Sequence, residues 1–322
     1  MTNIDKLIGQ QAFKAKVGYL LNYAIKTGSA FPHTLISGPA GLGKSTFCRA
    51  IAQDLNRPYR EVFGPSLQKE RDIIGLFWDK NKPGLIEPNT ILFIDEIHSV
   101  DNKLLEWLYG AMQDKAVVTS NGLLRLPDFT LLAGTTDPGK ITAPLRSRFV
   151  VTSKLFFYSL DEILQIIDGV LKQHPDVYYT LSSEKDPLTL FDNDTSVRKC
   201  IEAICMGTPR LAVNLAKQVV LYAKAFDRFA NGAGTWKIFF NDEGITPSGL
   251  NTVEVAYLQA LNTSVNRTAG LERLAAVLRL SINDITATIE PKLFNMGLVA
   301  STGRGRYLTD KGYDLLQGGT NE

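Results

Sequence analysis

The chain has 322 residues, of which 44% are hydrophobic and 21% charged, and this composition excludes a disordered or fibrous protein. The formal net charge of +2 is too small to predict nucleic-acid binding by itself, so such a prediction needs local clusters of charge. The length predicts two or three domains, and the lack of an apolar signal core or of a membrane-length apolar run predicts a cytoplasmic protein.

The N-terminal segment combines a short apolar sequence with a helical pattern. Ile8-Gly9-Gln10 precedes apolar residues at helical spacing, among them Phe13, Val17 and Leu21. An apolar residue just before the first helix can pack on an adenine base, and it can also be plain core. Ile8 is therefore a candidate adenine contact, with the core alternative left open.

A glycine-rich loop follows the apolar run Thr34-Leu35-Ile36. It fits the pattern G-x-x-x-x-G-K-[ST] at Gly38, Gly43, Lys44 and Ser45. Glycines let backbone N–H groups turn toward a phosphate, the helix that starts near Gly43 directs its positive end there, and Lys44 reaches the outer phosphates. The Ser45 hydroxyl can hold Mg²⁺. The predicted nucleotide contacts are Gly38, Gly41, Leu42, Gly43, Lys44, Ser45 and Thr46.

A continuous apolar run, Thr90 to Ile94, ends in the two carboxylates Asp95 and Glu96. Such a run is typical of a parallel strand buried on both faces, with the carboxylates at the edge of the sheet where ligands bind. There Asp95 can orient Mg²⁺ and Glu96 can polarise the water that attacks the γ-phosphate. Solvated residues at a helix start are the alternative, which the upstream phosphate loop makes the weaker one.

The next segments predict a helix over residues 102–114, a hairpin over 115–126 and a buried strand from Phe129 to Thr136. Asn121-Gly122 is the turn signal of the hairpin, which is either an inert edge or a projection that touches a partner or DNA. Thr136 is a candidate hydrogen-bond donor to the γ-phosphate or the attacking water, and otherwise caps the turn after the strand.

Two arginines, Arg146 and Arg148, lie in the segment Pro144 to Phe149. Either one, reaching the nucleotide of a neighbouring subunit, can supply positive charge where the transition state gains negative charge. The alternative is that both are solvated surface residues.

From Ser159 the pattern becomes helical. Residues 161–164 start a helix, residues 175–194 read as a loop or short insert, and two further helices are separated by Gly207-Thr208-Pro209-Arg210. Arg210 falls at a helix start, where a cation opposes the helix dipole. We therefore predict an external anion as its partner, with a nucleotide phosphate as the candidate.

Residues 228–244 read as a linker to a third segment. Helical patterns over 251–261, 270–278 and 282–295 then precede a small hairpin, which is the layout of a winged helix. Arg304 and Arg306 are predicted at the tip of its wing, where they can meet DNA phosphates. A merely solvated turn is the alternative.

Taken together, these motifs resemble the RuvB family of AAA+ motors of Holliday-junction branch migration, from about Ile8 to about Leu315. Besides the phosphate loop, which any AAA+ protein could show, the specific motifs are Ile8-Gly9-Gln10, Phe93 to His98, Leu108 to Asp114, Pro144 to Phe149, Gly207 to Arg210 and Arg304-Gly305-Arg306. The whole set in this order is much more selective than the phosphate loop alone. The resemblance implies a P-loop AAA+ α/β domain over residues 1–156, a helical lid over 157–240 and a winged helix over 241–322. It further implies a homo-hexameric ring around double-stranded and branched DNA, driven by ATP and Mg²⁺.

The resemblance also assigns roles to single residues. Asp95 and Glu96 match the Walker B pair, and Thr136 matches the sensor-1 position. Arg148 resembles the arginine finger that acts on the next subunit, and Arg210 resembles the sensor-2 arginine. Tyr158 falls where the family packs a tyrosine near the adenine.

One departure from the family concerns residues 115–128, which are several residues fewer than usual at the hairpin where the family docks its junction-binding partner, RuvA. The chain therefore either docks such a partner on a short hairpin or works without it. For the activity, the leading hypothesis is an ATP-dependent DNA motor. The alternative is a clamp-loader-like AAA+ switch that loads a partner onto DNA without translocating.

Overall fold

A computed structural model describes residues 2–82, 84–119, 122–175, 195–226 and 233–318. The chain forms two compact units, Met1–Tyr158 and Ser159–Glu322. The first has a hydrophobic core beneath its sheet, and the second has one inside its C-terminal part. The predicted boundaries of a separate lid and winged helix stay a prediction.

The first unit is organised by a parallel sheet. The strands of this unit are β1 Thr34–Ser37, β2 Tyr59–Phe63, β3 Thr90–Asp95, β4 Ala116–Thr119, β5 Gly122–Arg125, β6 Phe129–Thr135 and β7 Val151–Lys154. Five of them form the sheet, in the order β2-β3-β6-β1-β7. β3 is buried except at its last residue, and β6 is buried throughout. Burial on both faces explains why these two strands have continuous apolar sequences.

Helices cover the sheet on both faces. On one face the rings of Phe13 and Phe47 meet edge to face at 5.0 Å. On the other face Leu104, Leu105 and Leu108 pack in the main core cluster, as their helical spacing predicts. The helices are α1 Gln11–Thr27, α2 Lys44–Asp54, α3 Glu70–Leu76, α4 Asn102–Asp114 and α5 Ala143–Arg148.

The predicted hairpin is confirmed in its two strands. β4 and β5 pair antiparallel, with Ala116 opposite Arg125 and Thr119 opposite Gly122. Asn121, half of the predicted turn signal, lies outside the described residues. The Leu123 side chain on β5 is 59% exposed, so the hairpin presents an apolar side chain to its surroundings.

The second unit begins with helix α6, Leu160–Leu171, which a capping box starts at Ser159. Helices α7, Thr195–Cys205, and α8, Pro209–Phe226, follow. Gly207 has a φ of 66° between them, which confirms the predicted break at glycine and proline. Of the predicted insert 175–194, residues 176–194 lie outside the described residues.

The predicted linker over residues 228–244 is wrong over much of its length. Residues Ala233–Asp242 form helix α9, in which Trp236, Phe239 and Phe240 are buried. Aromatic residues spaced three and four apart mark one face of a helix, and their burial outweighs the glycines that precede them. Residues 227–232 lie outside the described residues.

The C-terminal part of the second unit has the predicted three helices and hairpin. Its elements are α10 Thr252–Asn262, β8 Thr268–Ala269, α11 Leu271–Leu278, α12 Ile282–Asp284, α13 Glu290–Asn295, β9 Val299–Thr302, β10 Gly305–Leu308 and α14 Asp310–Gly318. β10 lies between β8 and β9. Gly305 has a φ of 131°, and an added Cβ there would lie only 2.5 Å from the Ala269 oxygen. Only glycine therefore fits where the start of β10 passes close to the end of β8.

The third helical pattern is interrupted by a π-helical turn, Ile285–Ile289, between α12 and α13. Pro291 lies two residues after the end of this turn. In a regular helix, a proline ring clashes with the carbonyl four residues before it. The wider turn therefore accommodates Pro291 without ending the helix. Across the described residues, each helix is too short or too polar to span a bilayer.

Candidate active site

The loop between β1 and α2 has the backbone of a phosphate cradle. Gly38, Gly41 and Gly43 have φ values of 148°, 81° and 94°. An added Cβ on Gly38 would lie 2.9 Å from the Leu155 oxygen. Among the described residues, no side chain caps the N-terminus of α2, so its first N–H groups are available to an anion.

Lys44 lies in this cradle and is only 6% exposed. Its ammonium group donates to the oxygens of Gly38, at 2.8 Å, and Pro39, at 3.2 Å. The loop carbonyls thus hold the lysine where the outer phosphates of a nucleotide would lie. Ser45 follows in the first turn of α2, and its hydroxyl makes no hydrogen bond to another described residue, which suits a metal ligand.

Asp95 ends β3 and lies between β2 and β6. Burial raises the pKa of its carboxyl, the nearby charge of Glu96 adds to this, and Lys44 opposes it. An added Cβ on Gly134 would lie 2.7 Å from Asp95 Oδ1. The glycine in β6 therefore leaves the space that the carboxylate occupies.

Glu96 is held in one orientation by the end of β6. Its Oε2 accepts hydrogen bonds from Thr136 N, at 3.0 Å, and from Thr136 Oγ1, at 2.8 Å. His98 Nδ1 lies 3.2 Å from the same oxygen and 3.0 Å from Thr135 Oγ1. The backbone of Glu96 is left-handed, with φ 52°, so the chain turns sharply after Asp95 and directs both carboxylates to the edge of the sheet.

The predicted adenine contacts lie near the same loop. Tyr158 is buried, and its hydroxyl donates to the Leu42 oxygen at 3.2 Å. Ile8 is half-buried, just before Gln10, whose side-chain amide donates to the Phe156 oxygen at 2.6 Å and accepts from its N–H at 3.2 Å. These contacts bring the start of α1 to the segment that ends at Tyr158. The contacts of Ile8 and Tyr158 with adenine stay predictions.

The structure separates the two candidate arginines. Arg146 Nη2 donates to the Pro138 oxygen at 2.5 Å. Arg148 donates to the Pro144 oxygen and to Gln113, and its guanidinium carbon lies 4.9 Å from the centre of the Tyr109 ring. Because α5 is helical, the two side chains leave it on different sides.

Arg210 lies in the first turn of α8, as predicted. It belongs to the second unit, and its contact with a nucleotide phosphate stays a prediction. The acidic pair and the phosphate loop, in contrast, both lie in the first unit, at the carboxyl ends of β3 and β1, which are separated in the sheet only by β6. This edge of the sheet is where open α/β folds bind their ligands.

Comparison with known proteins agrees with this arrangement. Residues 1–155 match the family model of the Holliday junction DNA helicase RuvB P-loop domain, and residues 247–317 match that of the RuvB C-terminal winged helix domain. A Prochlorococcus marinus protein named Holliday junction branch migration complex subunit RuvB is 33% identical over 96% of this chain and 84% of its own length. The chain belongs to the RuvB family.

Other members of the RuvB family agree over nearly the whole length. The Mesomycoplasma hyopneumoniae RuvB subunit is 30% identical over 98% of this chain and 95% of its own. A solved structure described as the Thermotoga maritima RuvB Holliday junction branch migration motor has a TM-score of 0.72 and 29% identity, covering 96% of this chain and 95% of that one. The predicted fold class, an AAA+ domain with a lid and a winged helix, is confirmed.

In the winged helix of this RuvB family member the two predicted wing arginines differ. Arg304 lies in the turn between β9 and β10 and is exposed, as predicted. Arg306 lies on β10, and its Nε and Nη2 donate to the two Glu290 oxygens at 2.8 and 2.9 Å. Its predicted place at the wing tip is wrong. Glu290 is only 3% exposed, and a buried carboxylate is destabilising unless a cation pairs with it, so the Arg306 side chain lies against Glu290.

Several residues around the site were missed from the sequence. Tyr109 and Gln113 contact Arg148, and His98 contacts Glu96. The motif Leu108 to Asp114 marks α4 as characteristic of the RuvB family, but a pattern within one helix does not reveal which other helix it contacts. Of these three residues, only His98 has a local signal, because it lies two residues after Glu96.

Proposed function

We propose that this chain is an ATP-driven DNA motor that moves the branch point of Holliday junctions, as the names of its relatives describe for those proteins. The observation that supports this most directly is the meeting of Lys44, Asp95 and Glu96 at one edge of the sheet. A switch that only loads a partner could share this site. The winged helix, matched over 247–317, favours the motor because it adds a DNA-binding element.

The residues of the site have separate tasks in ATP hydrolysis. The uncapped start of α2 and Lys44 bind the phosphates, and Glu96, held by Thr136, orients and deprotonates the attacking water. Ser45 and Asp95 offer the hard oxygen ligands that suit Mg²⁺. The metal would neutralise charge that develops on the phosphates.

Arg148 completes the site in a neighbouring protomer. It ends α5, and only two of the five donor hydrogens of its guanidinium have partners among the described residues. A cation with free donors suits the γ-phosphate of a nucleotide bound next door. The active form is accordingly a ring, which we propose to be a hexamer, and Arg210 contacts the nucleotide from the lid.

The DNA contact is non-specific in this proposal. Arg304 at the wing tip has no ion-pair partner among the described residues and meets backbone phosphates of duplex or branched DNA. A RuvA-like partner docks on the β4–β5 hairpin, whose exposed Leu123 provides an apolar contact. Action on chromosomal junctions places the protein in the cytoplasm.

The test is a branch-migration assay on a synthetic four-way junction, followed by ATP turnover on the same samples. Glu96→Gln keeps the hydrogen-bond acceptor for Thr136 but removes the base, so turnover falls by about 10²–10⁴-fold and migration stops. Lys44→Ala loses both activities. Exposed Glu106 on α4 offers a matched carboxylate control, Glu106→Gln, which retains both. DNA-stimulated turnover without migration would contradict the motor and support the loading switch.

A further inference from the structure

The guanidinium of Arg148 is held by helix α4 and by its own helix. Nη2 donates to Gln113 Oε1 at 3.2 Å, and Nη1 donates to the Pro144 oxygen at 2.8 Å. The guanidinium carbon lies 4.9 Å from the centre of the Tyr109 ring. Two hydrogen bonds and one cation–π contact thus restrict a side chain that has four rotatable bonds.

Tyr109 is itself anchored at both ends. Its ring is partly buried against the core of the first unit, and its hydroxyl lies 3.0 Å from Thr142 Oγ1. Thr142 is the residue that precedes α5. The ring is therefore tied to the beginning of the helix whose last residue is Arg148.

The contacts leave Arg148 capable of binding more. Its Nε is buried and has no hydrogen-bond partner among the described residues. A buried donor without a partner is rare and costs free energy unless a ligand or water satisfies it. Arg146, the other arginine of α5, is exposed and has neither the ring contact nor the contact with α4 among the described residues.

We infer that Tyr109 and Gln113 are positioning residues, which hold the Arg148 guanidinium ready for the nucleotide of the neighbouring protomer. This inference rests on the proposed function, in which Arg148 acts across the interface. It adds that the geometry of one active site depends on side chains of helix α4 in the next protomer. α4 begins seven residues after Asp95, so one helix connects the acidic pair of its own site with the arginine that serves another.

Substitutions on α4 separate positioning from binding. Tyr109→Leu removes the ring face, so the kcat of ATP hydrolysis falls about tenfold while the KM for ATP stays the same, because the lost contact matters in the transition state. Tyr109→Phe keeps the ring and restores most of the rate. Gln113→Ala lowers kcat less than Tyr109→Leu. Exposed Glu106 on the same helix supplies the control Glu106→Ala, with parental kcat.

Mixed rings test the action across the interface. Tyr109→Leu mixed with Lys44→Ala regains turnover above the sum of the separate proteins. In the mixed ring, the intact nucleotide site of a Tyr109→Leu protomer can lie next to the correctly held Arg148 of a Lys44→Ala protomer. Tyr109→Leu mixed with Arg148→Ala gains nothing, because both proteins supply a defective finger. If Tyr109→Leu instead damages its own site, the second mixture recovers and the first does not, which overturns the inference.

The role of Arg148 and the role of its positioning residues can be contradicted separately. Parental turnover by Arg148→Ala would contradict the proposed finger itself. An inactive Arg148→Ala with parental kcat for both Tyr109→Leu and Gln113→Ala would leave the finger standing and overturn the positioning role alone. Thermal melts of each variant show whether the fold is retained, and recovery in the first mixture shows that a folded site is present.

Discussion

The carboxylate of Glu96 is oriented chiefly by one residue, Thr136, through two hydrogen bonds to the same oxygen. Thr136→Val keeps the shape and the backbone bond but removes the hydroxyl. A hydrogen bond to a charged group contributes about 1.5–3 kcal/mol, so we expect kcat for ATP to fall about ten- to hundredfold. Steady-state hydrolysis measures this.

Thr136→Ser is the matched control, since serine keeps the donor to Glu96 Oε2 and should retain most of the parental rate. The KM for ATP should change little in both variants if the hydroxyl serves the attacking water through Glu96. A raised KM with unchanged kcat in Thr136→Val would instead place the hydroxyl in ground-state binding of the nucleotide.

A second prediction concerns His33, which lies just before β1 and is half-buried. Its Nδ1 accepts from Leu131 N at 2.8 Å, and the ring packs at 5.4 Å against Phe129. Burial lowers the pKa of His33, the charge of Lys115 adds to this, and a hydrogen bond to the Met112 backbone opposes it. The neutral ring therefore contributes stability above the ordinary histidine pKa of about 6.5, and this stability is lost as the pH falls below it.

The measurement is the melting temperature between pH 7.5 and pH 5. His33→Asn keeps an acceptor for Leu131 N but cannot titrate, so its melting temperature should fall less steeply toward low pH than that of the parent. An equal slope in both proteins would mean that other groups account for the acid sensitivity of this unit.

At the scale of elements, the wing contains two arginines with different tasks. Arg306 on β10 pairs with Glu290 on α13, and Tyr257 on α10 donates to the same carboxylate at 2.9 Å. Removing one partner leaves a buried charge, so Arg306→Leu should destabilise the second unit by about 3 kcal/mol. Thermal or urea unfolding measures the loss.

Arg304→Ala should have the opposite effect to Arg306→Leu, with stability retained and DNA binding weakened, because the Arg304 side chain is exposed at the turn. The melting temperature should stay at the parental value, while DNA affinity falls and the salt dependence of binding becomes shallower by about one phosphate contact. Fluorescence anisotropy over a range of salt concentrations resolves the two effects. Unchanged DNA binding by Arg304→Ala would exclude the wing tip from the interface.

The same elements show how far sequence patterns predict the fold. β3 and β6 were predictable because burial on both faces requires apolar residues at every position. Arg306 was misplaced because its partner, Glu290, lies 16 residues away on another element. The glycines at 232 and 234 predict a linker where helix α9 lies, because the helical spacing of Trp236, Phe239 and Phe240 is a weaker local signal than a pair of glycines.

The residues of the candidate site also fall into two groups, those that local motifs predict and those whose contacts depend on the packing of distant elements. The phosphate loop and acidic pair are local motifs, so their residues could be chosen from the sequence, and the structure brings their elements together at one edge of the sheet. Contacts between distant segments, such as Arg148 with Tyr109 or Glu96 with Thr136, depend on the packing of elements that no local pattern specifies. The place of Thr136 at the end of a buried strand predicted a hydrogen-bonding role for its hydroxyl, and the structure shows that this hydroxyl donates to Glu96.

In the proposed function, activity is a property of the assembled ring. Each protomer contains the phosphate loop and the acidic pair in its first unit, and in this proposal its Arg148 acts on the nucleotide of another protomer. If the arginine is needed for turnover, an isolated protomer binds ATP but hydrolyses it slowly, since it lacks the charge that stabilises the transition state. Binding and hydrolysis should then depend differently on protein concentration.

We therefore predict that ATP turnover per protomer rises with protein concentration and reaches a plateau where mass photometry shows rings. Duplex DNA should shift this rise to lower concentration, because a ring bound around DNA is stabilised by mass action. Arg148→Ala should assemble over the same range but remain at the low rate of the dilute protein, about 10³-fold or more below the plateau. A constant turnover per protomer, down to concentrations at which only monomers are present, would contradict a shared active site, because each protomer would then contain all the groups that it needs.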